Sequence, residues 1–170
     1  MYKEVTYKIE NNKLKILINN KTIHKIDLKY IRKIVTNLLN IESKILEIIR
    51  ENNIKYPEAL VFQYASFYLS FILTIIEIIK KINKLLNEYY YKYCSNKKYI
   101  IHELSEEIKI ISERISTMFF EYKVTILKYE DSVKPEKKDI VKKLVEEYMR
   151  NIDILSIELY EVKRKILENI

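Results

Sequence analysis

The sequence predicts a mainly α fold: an elongated bundle of four coiled-coil-like helices, preceded by a short N-terminal β-hairpin or three-stranded meander. Three observations carry that prediction. The 170 residues include no glycine and two prolines, apolar residues recur at alternating spacings of three and four over most of the chain, and the first 26 residues alternate with period two instead. Without glycine, tight turns at positive φ become costly, which disfavours loop-rich sandwiches and glycine-built nucleotide-binding folds. Hydrophobic content of 48% beside 32% charged residues suits a foldable chain. At this length roughly two thirds of the unfolded surface can be buried without metals or disulfides. One domain is expected, with residues 1–26 packed on a bundle formed by residues 27–170.

The β segment comes first. Val5, Tyr7 and Ile9 share one face, Asn11 and Asn12 interrupt, and Leu14, Ile16 and Ile18 follow with the same period. A two-residue loop pairs Glu10 with Lys13, Ile9 with Leu14, Tyr7 with Ile16 and Val5 with Ile18, so both apolar faces coincide in one register. Asparagine tolerates the left-handed conformation that glycine would otherwise supply. A second pair, Asn19 and Asn20, leads into Thr22 to Ile26 as a third strand, after which Asp27 offers a helix N-cap.

Helix one is expected over 28–52, where Ile31, Ile34, Leu38, Ile41, Ile45 and Ile48 form the stripe and Asn52 with Asn53 closes it. Pro57, suited to a first helical turn, opens helix two, 57–93, with Tyr68, Phe71, Ile75, Ile78, Ile82, Leu85 and Tyr89 in the same spacing. Helix three, 98–130, carries Ile101, Leu104, Ile108, Ile111, Ile115, Met118 and Tyr122 and breaks at the polar stretch before Pro135. Helix four, 135–168, carries Val141, Val145, Tyr148, Ile152, Leu155, Leu159, Val162 and Ile166. Helices two to four each reach about 50 Å at 1.5 Å per residue, and helix one is shorter. Unequal helices leave the ends of the longer ones under-covered, so either the β segment caps that end or a second copy packs there, and a homo-oligomer is expected on the second ground.

Charge is uneven. Of the net +7, residues 1–98 hold 18 Lys/Arg against 9 Asp/Glu, whereas residues 99–170 hold 13 against 15. Such asymmetry suits phosphates or an acidic partner. A lone cysteine, Cys94, precludes an internal disulfide, and the alternating N-terminus is not a secretory signal, which together suggest a reducing, cytoplasmic setting.

Two segments stand out as functional candidates. The uncharged run 59–76 approaches the length of a membrane span, and Ser66, Ser70 and Thr74 fall on one stripe within it. Its tyrosines, its Gln63 and a heptad that passes into charged sequence without a phase change favour a helix buried on nearly all sides. The second segment interleaves Lys80, Lys81, Lys84, Lys92, Lys97 and Lys98 with Tyr90, Tyr91 and Tyr99, a pattern able to neutralise phosphates and stack on unpaired bases. A smaller cluster, Lys25, Lys29, Arg32 and Lys33, surrounds the start of helix one, where positive charge opposes the helix dipole.

Catalytic parts are sparse. His102-Glu103 with Glu106 matches half of a helical zinc motif, but the second histidine one turn on is missing. Paired Glu-x-x-His motifs and phosphate-cradling glycines are absent too, so no metal, cofactor or catalytic residue is expected. The reading is a non-enzymatic interaction or scaffolding protein that oligomerises through its helices and presents a basic surface to a partner. The alternatives are nucleic-acid binding through the Lys/Tyr helix end and, ranked below it, membrane association through 59–76.

Overall fold

A computed structural model describes residues 3–50, 58–92 and 96–170. The fold is mainly α with an N-terminal antiparallel meander. Strands β1 (Val5–Glu10), β2 (Lys13–Ile18) and β3 (Lys21–Asp27) precede α1 (Leu28–Arg50), α2 (Glu58–Lys92) and α3 (Lys97–Asp131), and a 3-10 turn at Pro135–Lys137 introduces α4 (Lys138–Asn169). The stop at Asn52 and Asn53, the start at Pro57, and Tyr93 and Cys94 lie outside the described residues.

The strand order is β1-β2-β3, and the first hairpin takes the register that its alternation dictates, Val5 opposite Ile18 and Glu10 opposite Lys13. Asn11, Asn12, Asn19 and Asn20 all have φ between 50 and 66°. Each pair therefore makes the left-handed two-residue turn that matches strand twist. Replacing Asn12 or Asn20 with valine is expected to cost about 1–2 kcal/mol in a urea melt, because a β-branched residue at positive φ is strained. Glycine at the same positions should be neutral or stabilising.

The second hairpin departs from simple alternation. Leu17 pairs with Thr22 but Ile16 pairs with His24, so Ile23 is an extra residue in β3. A bulge of this kind flips every later residue to the opposite face. Here it turns Ile26 inward, where it is buried, and sets Lys25 beside Lys15 on the outer face. Strand β3 then runs directly into α1. Asp27 Oδ1 accepts the Lys29 N–H at 3.0 Å as an N-cap, and the Leu28 N–H donates to the Asn12 carbonyl at 2.8 Å.

The chain forms two compact units. One comprises Met1–Lys29, Phe71–Ile115 and Ile157–Ile170; the other comprises Tyr30–Ser70 and Ser116–Ser156. In the first, the inner sheet face (Val5, Leu14, Ile16, Ile18, Ile26) is buried together with Ile75, Ile78 and Ile82 of α2, Leu104 and Ile108 of α3, and Leu159, Val162 and Ile166 of α4. Ile9, at the turn end of the edge strand, is 51% exposed instead of sharing that core. The Asn83 side chain brackets Val5: its Oδ1 accepts the Val5 N–H at 2.7 Å and its amide donates to the Val5 carbonyl.

In the second unit the buried residues include Ile31, Ile34, Leu38, Ile41 and Ile45 of α1, Tyr64 and Phe67 of α2, Phe119, Tyr122 and Ile126 of α3, and Val141, Val145, Tyr148, Ile152 and Leu155 of α4. Phe67 meets Phe119 and Tyr122 edge to face at centroid distances of 5.4 and 5.2 Å, and Tyr64 stacks on Tyr122 at 5.4 Å. Aromatic pairs in these geometries add to what area burial alone contributes. Their order along the chain makes α2 and α3 antiparallel here.

Candidate functional site

The uncharged run in α2 is not enclosed. Tyr64, Phe67, Phe71 and Ile75 turn inward, but Val61, Phe62, Ala65, Leu69 and Leu73 are exposed, Phe62 at 74% and Leu69 at 58%. This corrects the expectation of a helix buried on nearly all sides. The cause is geometric: a helix with neighbours on one side buries one stripe, while this run carries apolar residues on more than that stripe. By length and composition alone Leu60–Tyr89 could cross a bilayer; 39% of its most apolar window is buried.

Within the second unit, the exposed stripe borders a groove of about 350 Å³ between α1 and α2. Val35 and Leu39 of α1 and Val61, Ala65 and Leu69 of α2 supply apolar walls, and Arg32 closes the lining with its guanidinium 6.0 Å from the Tyr68 ring centroid. Phe62 lies three residues before Ala65 and seven before Leu69, so its ring projects from the same helical stripe. The surface thus combines an aromatic knob with an apolar recess.

Beneath that surface is a polar network that sequence reasoning missed. Glu42 is 5% exposed, and the Tyr64 hydroxyl donates to its Oε2. The Tyr64 and Tyr148 hydroxyls are 2.9 Å apart. Tyr64 has one proton and gives it to the carboxylate, so Tyr148 donates to Tyr64. Burial raises the Glu42 carboxyl above the ordinary range, partly opposed by the Tyr64 hydrogen bond. Burial likewise pushes the Tyr122 phenol up to about 12 and raises those of Tyr64 and Tyr148. The Tyr64 hydroxyl satisfies one lone pair of the carboxylate without neutralising its charge, and Tyr148 in turn satisfies Tyr64. The signal was present in the sequence: Glu42 follows Leu38 by four residues and precedes Ile45 by three, which places a carboxylate on the apolar side of helix one.

The basic residues singled out by sequence are dispersed. Lys80, Lys81 and Lys84 line a groove of about 420 Å³ in the first unit, but Glu77, Glu107, Ile110 and Ile111 line it with them. Lys81 lies 3.8 Å from Glu107, and Arg114 pairs with Glu77 at 2.7 Å. Acids of α2 and α3 therefore offset only part of this cluster's charge. Tyr90, Tyr91 and Lys92 complete α2, and their side chains lie outside the described residues. Lys97, Lys98 and Tyr99 are exposed in the first turn of α3, where Asn96 accepts the Tyr99 N–H at 3.3 Å. They sit at the positive end of a helix dipole and not at a helix C-terminus. Lys29, Arg32 and Lys33 are exposed at i, i+3 and i+4 on α1, while Lys25 belongs to the outer face of β3.

His24 packs toward α4 with its Nε2 buried and lacking a hydrogen-bond partner, and burial lowers its pKa against a smaller opposing pull from Glu161. Among the described residues no three His, Cys, Asp or Glu side chains gather as a metal site would require. Comparison with protein-family models, with curated proteins and with solved structures finds no match.

Proposed function

We propose that this protein is a non-enzymatic helical interaction protein that self-associates through the α1/α2 surface of its second unit. The observation that carries the reading is the pairing of Phe62, 74% exposed, with an adjoining apolar groove of about 350 Å³. A two-fold axis beside α2 would let each Phe62 enter the partner copy's groove, the self-complementary arrangement that closed dimers use. Isolated exposed apolar residues are ordinary, whereas an aromatic knob next to a recess on one helical stripe is what interface centres are built from. The buried carboxylate Glu42 accepts the Tyr64 hydroxyl, which supports a structural assignment for this polar cluster of the second unit's core.

Sedimentation equilibrium over a concentration series tests the proposal. A dimer is expected, and Phe62→Glu should weaken it by about 30-fold or more, as loss of an interface hot spot of about 2 kcal/mol would. Leu69→Glu should act in the same direction. A wild-type chain that stays monomeric at high concentration refutes self-association. Pelleting with neutral vesicles that Phe62→Glu abolishes would replace it with membrane association.

A further inference from the structure

The outer face of the sheet carries three cross-strand rows of side chains, and they differ in charge. Nearest the first turn, Glu10 pairs with Lys13 and Lys13 with Asp27, a row alternating in sign. The next row along the strands is Lys8, Lys15 and Lys25, each the Cα partner of its neighbour. The third, Thr6, Leu17 and Thr22, is uncharged. Opposite charges across a strand pair stabilise a sheet and like charges destabilise it, so the first row follows the rule and the second violates it twice. Glu10 reaches diagonally to Lys15 at 2.7 Å and relieves the central lysine, while Lys8 and Lys25 on either side remain exposed.

The row does not follow from simple alternation. Had β3 continued from its turn without Ile23 as an extra residue, Lys25 would lie on the inner face and His24 opposite Lys15. The bulge that buries Ile26 also completes the row, so its position is tied to the core.

We propose that this face is a phosphate-tracking surface for nucleic acid, with Lys8 and Lys25 each neutralising one backbone phosphate on either side of Lys15, which Glu10 holds. Strands about 4.8 Å apart set the Lys8 and Lys25 backbones roughly 10 Å apart, a length that two or three successive phosphates of one strand occupy. The Thr6 and Thr22 hydroxyls flank the row as further donors to phosphate oxygens. The lysines line neither groove described above, which favours a chain laid across a surface over a small anion held in a pocket. Tyr7 lies on the opposite face of β1, so no ring of that strand stacks on bases beside the row and recognition ignores sequence. Leu17, the apolar residue of the third row, is buried and offers nothing to acyl chains, which disfavours a lipid surface. The proposal is independent of self-association, because its residues all belong to the first unit.

Fluorescence anisotropy with labelled single-stranded and duplex oligonucleotides, using the full chain, tests it. Between 50 and 200 mM salt, two phosphate contacts should weaken duplex affinity about 12-fold, and Lys8→Gln with Lys25→Gln should make the slope of log K against log salt shallower by about 1.8. Lys25→Gln alone should remove about 0.9 of that slope, and Lys8→Arg with Lys25→Arg should keep all of it. Removing like-charge neighbours should leave the melting temperature of the glutamine variants unchanged or higher. Absence of binding at low salt overturns the proposal, as does an unchanged slope in the double glutamine variant. So does loss of binding in Lys97→Gln/Lys98→Gln with the sheet variant unaffected, or binding of phosphatidylserine vesicles without any binding of oligonucleotide.

Discussion

Asn83→Leu is expected to lower unfolding free energy by about 2–4 kcal/mol, because it strands both polar backbone groups of Val5 at once. Val5 is fully buried, its strand is the sheet edge, and the Asn83 carboxamide supplies one acceptor and one donor where a neighbouring strand would otherwise supply them. Leucine nearly preserves side-chain volume, so the loss reports the hydrogen bonds and not a cavity. For a chain of this length the melting temperature should fall by about 5–15 °C. Asn83→Asp is informative beside it. An aspartate still accepts the Val5 N–H but sets a second oxygen against the Val5 carbonyl, so stability should not be recovered. Urea melts of the three proteins decide the matter, and a neutral Asn83→Leu would show that the sheet edge is held by other contacts.

Tyr64→Phe is expected to cost about 2–4 kcal/mol near neutral pH, where it leaves a buried carboxylate and the Tyr148 hydroxyl without their shared partner. Glu42→Gln should behave in the opposite manner, since its carbonyl still accepts the Tyr64 proton and no charge is buried. The two differ further in pH dependence. Burial raises the folded Glu42 pKa above 4.5, its value in the unfolded chain. Between those two values the folded protein holds a proton that the unfolded chain has released. Stability from this group therefore falls as pH rises through that window and is level above it. Glu42→Gln abolishes the fall, so its stability relative to wild type should grow from pH 4 toward neutrality and then hold steady. His24 contributes the opposite slope, because burial lowers its pKa and stability declines as pH drops below 6.5. That contribution is common to both proteins and cancels in the difference. Equal pH profiles for wild type and Glu42→Gln would mean that Glu42 does not titrate differently on folding.

Neither effect was legible in the chain alone, and the reason is the same for both. Asn83 stands between Ile82 and Lys84 on a helix that reads as amphipathic, and its partner is the backbone of a residue 78 positions away. Nothing local marks one polar side chain as the cap of a distant strand. Glu42 did carry a local sign, a carboxylate on the apolar side of its helix, but Tyr64 and Tyr148 read equally well as ordinary core aromatics. The Lys80 to Lys84 cluster read as a basic surface because periodicity assigns residues to faces of their own helix. It does not disclose that Glu77 and Glu107 share the groove with them.

By itself the sequence determined whatever depends on neighbours along the chain. The first hairpin register, the left-handed Asn pairs, the Asp27 cap and most of the heptad stripes of α1, α2 and α4 follow from local periodicity and backbone preference, and the structure has them where the residues place them. In α3 burial falls on Ile100, Leu104, Ile108, Ile115, Phe119 and Tyr122, leaving the expected Ile101, Ile111 and Met118 half-buried. The tertiary structure alone decided which side of each element would be covered. It inserted Ile23 as a bulge so that Ile26 could be buried, which moved Lys25 onto the outer row, and it left Phe62 and Leu69 outside although their composition suited a core. Periodicity states how many faces are apolar, but burial depends on how many neighbours a helix or strand acquires, and that number is settled only when the distant parts of the chain meet.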